Sequence, residues 1–316
     1  MFSRKKFILG SLLITSSLKK LKSEPNSRNP SMEAQSNPSL KNTKVLKAKI
    51  LSSGEFLPRV GLGTYQTFDV GKDSSKQKEL SLLLEYFYSS GGSMIDSSPM
   101  YGTSEEVVGD VSLKTNLNEK LFFATKVWIS GKEAGEKQML SSLSKMKRKH
   151  LELMQIHNLV DWKTHLITLK DWKEKGIIRY IGITHYTTSA FPELEKIIRS
   201  EQIDFLQIPY SIAETTGDER LIPAAFDHGV SVIANEPFAR GRLFSSTKGK
   251  DLPGWAKEIG ISSWAEYFLK FILASEKIQF VIPATNKLGH LKENMTAGTG
   301  NLPSLSDRKK MKSEFF

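Results

Sequence analysis

The sequence predicts an α/β protein, a (β/α)8 TIM barrel with a short N-terminal β-hairpin. Three observations carry that expectation. From about residue 45, short apolar runs alternate with longer amphipathic stretches, the pattern of repeated βα units on a parallel sheet. Three consecutive runs end in ionisable residues at the same end, where such a barrel carries its chemistry. The length, 316 residues, suits one barrel plus extensions.

The elements follow in order. Ser52-Ser53-Gly54 between apolar residues predicts the hairpin ahead of the barrel. Eight strands are expected at Arg59–Tyr65, Ser93–Ser98, Leu121–Val127, Leu151–His157, Ile178–His185, Ile203–Tyr210, Ser231–Phe238 and Gln279–Ala284. Between them, Lys76–Ser89, Thr187–Arg199, Glu219–His228 and Ser262–Leu273 have helical spacing. An open dinucleotide-binding sheet would show G-x-G-x-x-G after its first strand. Here Gly61-Leu62-Gly63 is followed by Thr64-Tyr65-Gln66 with no third glycine, which reads as a tight backbone passage at the barrel mouth. The barrel is expected to occupy residues 44–316.

Composition sets limits. A hydrophobic fraction of 39% and a charged fraction of 25% describe a globular chain. It has no cysteine, which excludes thiolate catalysis, iron–sulfur clusters and zinc–cysteine sites. The formal charge of +11 sits mostly at one end: residues 1–50 hold eleven lysines and arginines against two glutamates, a net +9. The remainder is close to neutral, so no nucleic-acid groove is expected. Residues 1–18 place Arg4, Lys5 and Lys6 ahead of a short apolar run, the layout of a signal peptide and too short for an ordinary membrane span. Ser3-Arg4-Lys5-Lys6-Phe7-Ile8-Leu9 resembles a twin-arginine export motif with lysine as the second basic residue. Residues 23–43, rich in Ser, Asn and Pro, read as a linker. The expectation is export, to a periplasm or a membrane surface, with residues 1–22 as the contact; a basic tail without an address is the other reading.

The three strand ends carry the chemistry. The second strand ends in Asp96, with Tyr101 just beyond; the third ends around Lys126 and the fourth in His157. A carboxylate, a phenol, an ammonium and an imidazole would then surround one mouth. Reducing a carbonyl builds negative charge on its oxygen, which must be protonated. Tyr101 can donate that proton, and an adjacent cation lowers a phenol's pKa from about 10. Lys126 can be that cation, Asp96 can hold it in an ion pair, and His157 can donate a hydrogen bond to the carbonyl. The hydride must come from a cofactor, since no side chain supplies one.

Asp96-x4-Tyr101-Gly102, Ala124-Thr125-Lys126 and Gln155-Ile156-His157 resemble the catalytic motifs of the aldo-keto reductase family. Similar stretches run from Leu57–Thr64 through Ile177–Gly182 to Ile282–Asn294. The resemblance implies reversible reduction of aldehydes and ketones with NADPH, less often NADH, and implies the tetrad roles just described for Asp96, Tyr101, Lys126 and His157. It places Gly63 and Thr64 at the cofactor, Thr184-His185 where the family has Ser-Asn at the nicotinamide amide, and Gln207 at the family's glutamine. Asn235 stands where a tyrosine commonly stacks on the nicotinamide. Pro237-Phe238-Ala239-Arg240-Gly241 resembles the loop crossing the pyrophosphate. Thr285, Asn286, Lys287 and His290 stand at the 2′-phosphate end, with Ala284 in place of the family's lysine and Lys292 nearby; Glu293-Asn294 matches the adenine-side pair.

The short loop after the fourth strand predicts an open mouth, with Tyr65 and Trp128 as pocket walls for a small carbonyl substrate. A second reading keeps the cofactor but not the turnover: a regulatory or redox-sensing barrel, for which Asn235 and Ala284 leave room. A metal-dependent hydrolase would want several converging ligands. The strand ends offer His157 and His185 without an H-x-H pair, so no metal is expected.

Overall fold

The protein is described as a computed structural model over residues 44–315; the export-like segment and linker expected over residues 1–43 lie outside the described residues. Strands β1 (Lys47–Lys49) and β2 (Phe56–Pro58) pair antiparallel, Ala48 opposite Leu57. Gly54, at φ +79°, completes the turn by donating its N–H to Ile50 O at 2.7 Å. This is the expected hairpin.

The barrel then runs β3 (Leu62–Gly63), α1 (Ser74–Ser89), β4 (Met94–Asp96), α2 (Ser104–Lys114), β5 (Phe122–Val127), α3 (Lys132–Lys145), β6 (Leu151–His157) and α4 (Trp162–Glu174). It continues β7 (Ile178–Thr184), α5 (Phe191–Ser200), β8 (Phe205–Pro209), α6 (Leu221–Asp227), β9 (Ser231–Asn235), α7 (Arg242–Ser246), α8 (Gly254–Glu258), α9 (Trp264–Leu273), β10 (Phe280–Val281), α10 (Leu288–Ala297) and α11 (Leu305–Phe315). All eight strands from β3 to β10 are parallel and neighbour one another in chain order. Parallel bridges Val60–Val281 and Gly63–Ala284 bring the first and last strands together, so the sheet closes. The expected fold class is the observed one.

Closure explains the glycine pair. A Cβ on Gly61 would lie 2.9 Å from Met94 O, and one on Gly63 would lie 2.9 Å from Ile282 O. Only glycine lets this strand sit so close to both neighbours. Several strands are shorter than expected, each for a local reason. Pro283 has no N–H to extend β10. Glu236, at φ +50°, turns the chain out of the sheet after Asn235. The expected helix over Thr187–Arg199 splits into a 3-10 turn, Thr188–Ala190, and α5, with Pro192 in its first turn where a missing N–H costs nothing. The expected Ser262–Leu273 helix starts at Trp264, because Ser263 caps it by accepting from Glu266 N–H at 3.1 Å.

Strand alternation builds two separate apolar layers. Outward-facing Ile95, Phe123, Met154, Ile156, Ile181, Leu206, Ile208 and Val232 pack with the helices. Inward-facing Met94, Phe122, Leu153, Tyr180, Phe205, Ile233 and Phe280 fill the barrel, with Ile50 and Leu57 of the hairpin packed among them. Two residues further along the same inward faces the character changes on four strands, to Asp96, Gln155, Gln207 and Asn235, with the small Ala124 and Gly182 on the other two. The barrel is therefore apolar inside at its N-terminal end and polar at its C-terminal end, and that switch positions the site.

Candidate active site

The four residues expected to act together do come together. Asp96 ends β4, opposite Ala124 in the register; Lys126 on β5 faces Gln155, and His157 on β6 faces Thr184. Lys126 is fully buried, and its Nζ donates to Asp96 Oδ2 at 2.6 Å and to Ser97 O at 2.7 Å. Tyr101 lies in the turn beyond Asp96, and the Lys126 ammonium sits 5.0 Å from its ring centroid. The Tyr101 and His157 rings meet edge to face at 6.2 Å.

Charge states follow from these surroundings. Burial alone would lower the Lys126 pKa, but Asp96 and then Tyr101 more than reverse it, so the ammonium is held above its usual range. For Tyr101 burial comes first and raises the phenol pKa; Lys126 lowers it, as expected, but does not win. The phenol rests protonated. Burial, then the Lys126 charge, then His185 push the His157 pKa down to about 3, so the imidazole is neutral at physiological pH. Its Nδ1 lies 3.1 Å from Ser98 Oγ, which itself accepts from Met100 N–H at 3.4 Å. The Ser98 hydroxyl is free to donate to Nδ1, an arrangement that puts the imidazole proton on Nε2.

The supporting role of several residues escaped the sequence reading. Asp96 Oδ1 accepts from two buried amides, Gln155 Nε2 and Gln207 Nε2, each at 2.9 Å. Gln207 Nε2 also lies 3.1 Å from Gln155 Oε1, and Asn235 Nδ2 lies 3.4 Å from Gln207 Oε1. Gln207, expected at the cofactor, is thus placed as a support of Asp96. A Cβ on Gly182 would lie 2.8 Å from Gln155 Cγ, so this glycine makes the room that Gln155 occupies. Period-two spacing on β6 was the available signal: Gln155 shares the inward face of His157. Ser97 and Ser98 left no comparable trace.

The remaining expected residues fall into three groups. Thr64 is fully buried, its hydroxyl 3.0 Å from both Asp96 O and Ser97 Oγ, and Gly63 pairs with Asp96 in the sheet. Thr184 is buried at the end of β7, and His185 Nδ1 accepts from Thr187 N–H at 3.1 Å while its ring stacks on Tyr186. On the loop after β9, Pro237 is buried and Phe238 packs on Phe244 at 4.8 Å. Arg240 is held by Glu236 through contacts of 2.7 to 3.0 Å. At the far end, Thr285 is buried and its Oγ1 accepts from Lys287 N–H at 3.1 Å. Asn286, Lys287, His290 and Glu293 are exposed, and Asn294 is buried. Lys292 Nζ lies over the Tyr86 ring at 5.5 Å, which turns it toward α1. Tyr65, 52% exposed, packs on Tyr101 with ring centroids 4.9 Å apart; Trp128, 42% exposed, lies 6.4 Å from the His157 ring. Both expected walls stand at an open rim.

Of the buried side-chain polar atoms without a hydrogen-bond partner among the described residues, Asn235 Oδ1 and Asn294 Oδ1 belong to residues expected at the cofactor. An unmet buried acceptor is costly, and donors from a bound molecule would satisfy it. Asn235 ends β9 beside Gln207, and Asn294 stands where the resemblance implies the adenine side. The residues present therefore fit a nicotinamide dinucleotide.

The family model described as the aldo/keto reductase family matches residues 59–307. The chain belongs to the aldo/keto reductase family. As a member it is an oxidoreductase of a family that acts on small carbonyl compounds. Among curated relatives, the oxidoreductase YqkF of Bacillus subtilis is 26% identical over 288 residues, covering 79% of this chain and 90% of that protein. The methylglyoxal reductase YeaE of Escherichia coli is 24% identical over 245 residues, covering 75% and 84%. An aldo-keto reductase from Klebsiella pneumoniae, solved in complex with NADPH, superimposes with a TM-score of 0.74 over 86% of this chain and 96% of that one. At 21% identity that likeness speaks to the fold.

Proposed function

We propose that this protein reduces the carbonyl group of small aldehydes or ketones, with NADPH as reductant and Tyr101 as proton donor. The single observation that carries this reading is the buried Lys126–Asp96 pair set against the Tyr101 phenol, with a neutral His157 beside it. NADPH supplies a hydride when bound. Asn235, Pro237, Phe238, Thr285, Lys287, His290 and Asn294 are the residues that would hold it, with Thr184 and His185 at its nicotinamide end.

The chain's own groups do the rest. His157 Nε2–H and the Tyr101 hydroxyl converge on the carbonyl oxygen and fix its position. As negative charge grows there, the Tyr101 hydroxyl releases its proton to that oxygen. The buried Lys126 ammonium stabilises the phenolate left behind. Asp96, held by Gln155 and Gln207, keeps Lys126 in place. Curated relatives that reduce methylglyoxal support a small carbonyl as substrate. The basic start and apolar run of residues 1–18 support a second proposal, export or attachment to a membrane surface, which cell fractionation and sequencing of the mature N-terminus would decide.

NADPH oxidation by the purified protein with a panel of aldehydes and 1,2-dicarbonyls tests the catalytic reading. Tyr101→Phe is expected to cut turnover by a factor of about 100 to 10,000 while NADPH binding is kept. Cofactor binding without turnover in the unaltered protein would favour a regulatory role. Absence of NADPH binding would refute the proposal.

A further inference from the structure

Helix α11 is poorly explained as a packing element. Met311 is its one fully buried side chain among those described. Phe315 packs on Phe268, and Tyr267 and Trp255 donate to Met311 O and Glu314, while a second set of polar anchors reaches the barrel mouth. Arg308 stacks on Phe271, 4.5 Å from the ring centroid, and donates through Nε to Phe271 O at 3.0 Å. Its other arm donates to the Tyr210 hydroxyl and approaches Asp218 Oδ2 at 3.3 Å. Tyr210 in turn donates to Asp218 Oδ2 at 2.8 Å, and Lys312 Nζ donates to Thr215 Oγ1 at 2.6 Å. Tyr210, Thr215 and Asp218 all lie on the segment that leaves β8 at the mouth of the barrel.

Tyr210 links that anchor to the site. Its side chain is fully buried, and its backbone N–H donates to Asn235 O at 3.1 Å. Asn235 carries an unmet buried acceptor and reaches Gln207, which supports Asp96. Tyr210, Ser211 and Glu214 also form one wall of a cavity of about 510 Å³, whose other walls are Tyr186–Thr188 and the loop carrying Glu236 and Arg240.

We propose that α11 is a brace for the cofactor side of the mouth, with Arg308 and Tyr210 as positioning residues that hold Asn235 and the β8 segment in the geometry a dinucleotide needs. The proposal rests on the reading of function above. A helix added only for stability would bury an apolar face. This one rests on α8 and α9 through Trp255, Tyr267 and Phe268, and directs Arg308 and Lys312 to a single mouth segment.

Titrating NADPH against the full chain and its variants, alongside thermal melting and steady-state kinetics, tests this. Arg308→Met keeps the stem over Phe271 and removes the hydrogen bonds. It is expected to raise the NADPH Kd and KM about tenfold, leaving kcat at saturating NADPH within about twofold. Arg308→Lys keeps the charge without the fork and recovers part of the loss. Arg148→Met is the reference: that arginine is more deeply buried but anchors Asn118 and Glu152 at the opposite end of the barrel. It should lower Tm without moving the Kd. If Arg308→Met shifts the Kd no more than Arg148→Met does at a similar loss of Tm, the brace is refuted. Should Arg308→Met fail to fold, Tyr210→Phe decides: it removes one oxygen and keeps the ring, and an unchanged Kd again refutes the proposal. An unaltered chain that takes up no NADPH would instead overturn the function on which the proposal rests, and with it the brace.

Discussion

Replacing Lys126 with methionine removes the one cation in contact with Asp96 among the described residues, and the cost can be worked out. With Nζ at 2.6 Å from Asp96 Oδ2, the direct attraction is roughly 6 kcal/mol at an effective dielectric of about 20, before desolvation is subtracted. Breaking such a pair from one side strands the other charge and costs about 3–5 kcal/mol. Lys126→Met should therefore destabilise the fold by about 4 kcal/mol, leaving Asp96 with only the amides of Gln155 and Gln207. Asp96→Asn strands the ammonium and should cost about 3 kcal/mol, because Ser97 O remains as an acceptor. The double variant leaves neither charge stranded and should lose no more than the worse single, a coupling of about 3 kcal/mol. Equilibrium urea unfolding of the four proteins measures it. Additivity within about 0.5 kcal/mol would refute the claim that the pair acts as a unit.

Two further predictions concern the groups around that pair. His157 has a folded pKa of about 3 against an ordinary value of 6.5, so between those values the folded chain binds fewer protons than the unfolded one. Stability then rises with pH across that window and is lost as pH falls through it, at about 1.4 kcal/mol per unit; His157→Gln should flatten the dependence of Tm on pH there, and an unchanged slope would contradict the assignment. Gly182→Ala puts a Cβ 2.8 Å from Gln155 Cγ and 3.3 Å from Phe205 O. It should cost about 1–3 kcal/mol by overpacking and lower kcat by loosening the Gln155 hold on Asp96, and a variant matching the unaltered protein in both melting and turnover would sink that account.

The barrel was legible because its signal is repeated. Each strand supplied an apolar run and each helix an amphipathic stretch, so small errors at Pro283, Glu236 or Pro192 changed boundaries without changing the architecture. The tetrad was legible for a related reason: three strands in succession switched to ionisable residues at one end. Gln155 was hidden because a neutral amide two residues before a histidine carries no charge signal, though it shares the inward face. Gln207 was seen but read toward the cofactor, since nothing in the sequence reports that its amide reaches Asp96 across the barrel. Helix α11 left no trace at all. With Met311 alone fully buried it has no apolar stripe, and the arginine that anchors it meets a tyrosine 98 positions away.

The electrostatics of the mouth bear on the direction of the reaction. Burial and the Lys126 charge pull the Tyr101 phenol in opposite directions, and burial wins, so the resting group is the proton-carrying form that reduction requires. Oxidation of an alcohol would need the phenolate, which the same burial disfavours at neutral pH. Lys126 does not reverse this at rest, yet its charge is present where negative charge develops, because Asp96 and Tyr101 overcome the desolvation that would otherwise discharge it. Gln155 and Gln207 satisfy the remaining Asp96 oxygen with neutral donors rather than a second cation. The cluster of Lys126, Asp96, Tyr101 and His157 is therefore neutral overall while holding a strong local dipole. A second cation beside Asp96 would have offset more of the effect of burial on Tyr101 and moved the resting state toward phenolate. The two amides let the site support its carboxylate and keep a proton donor.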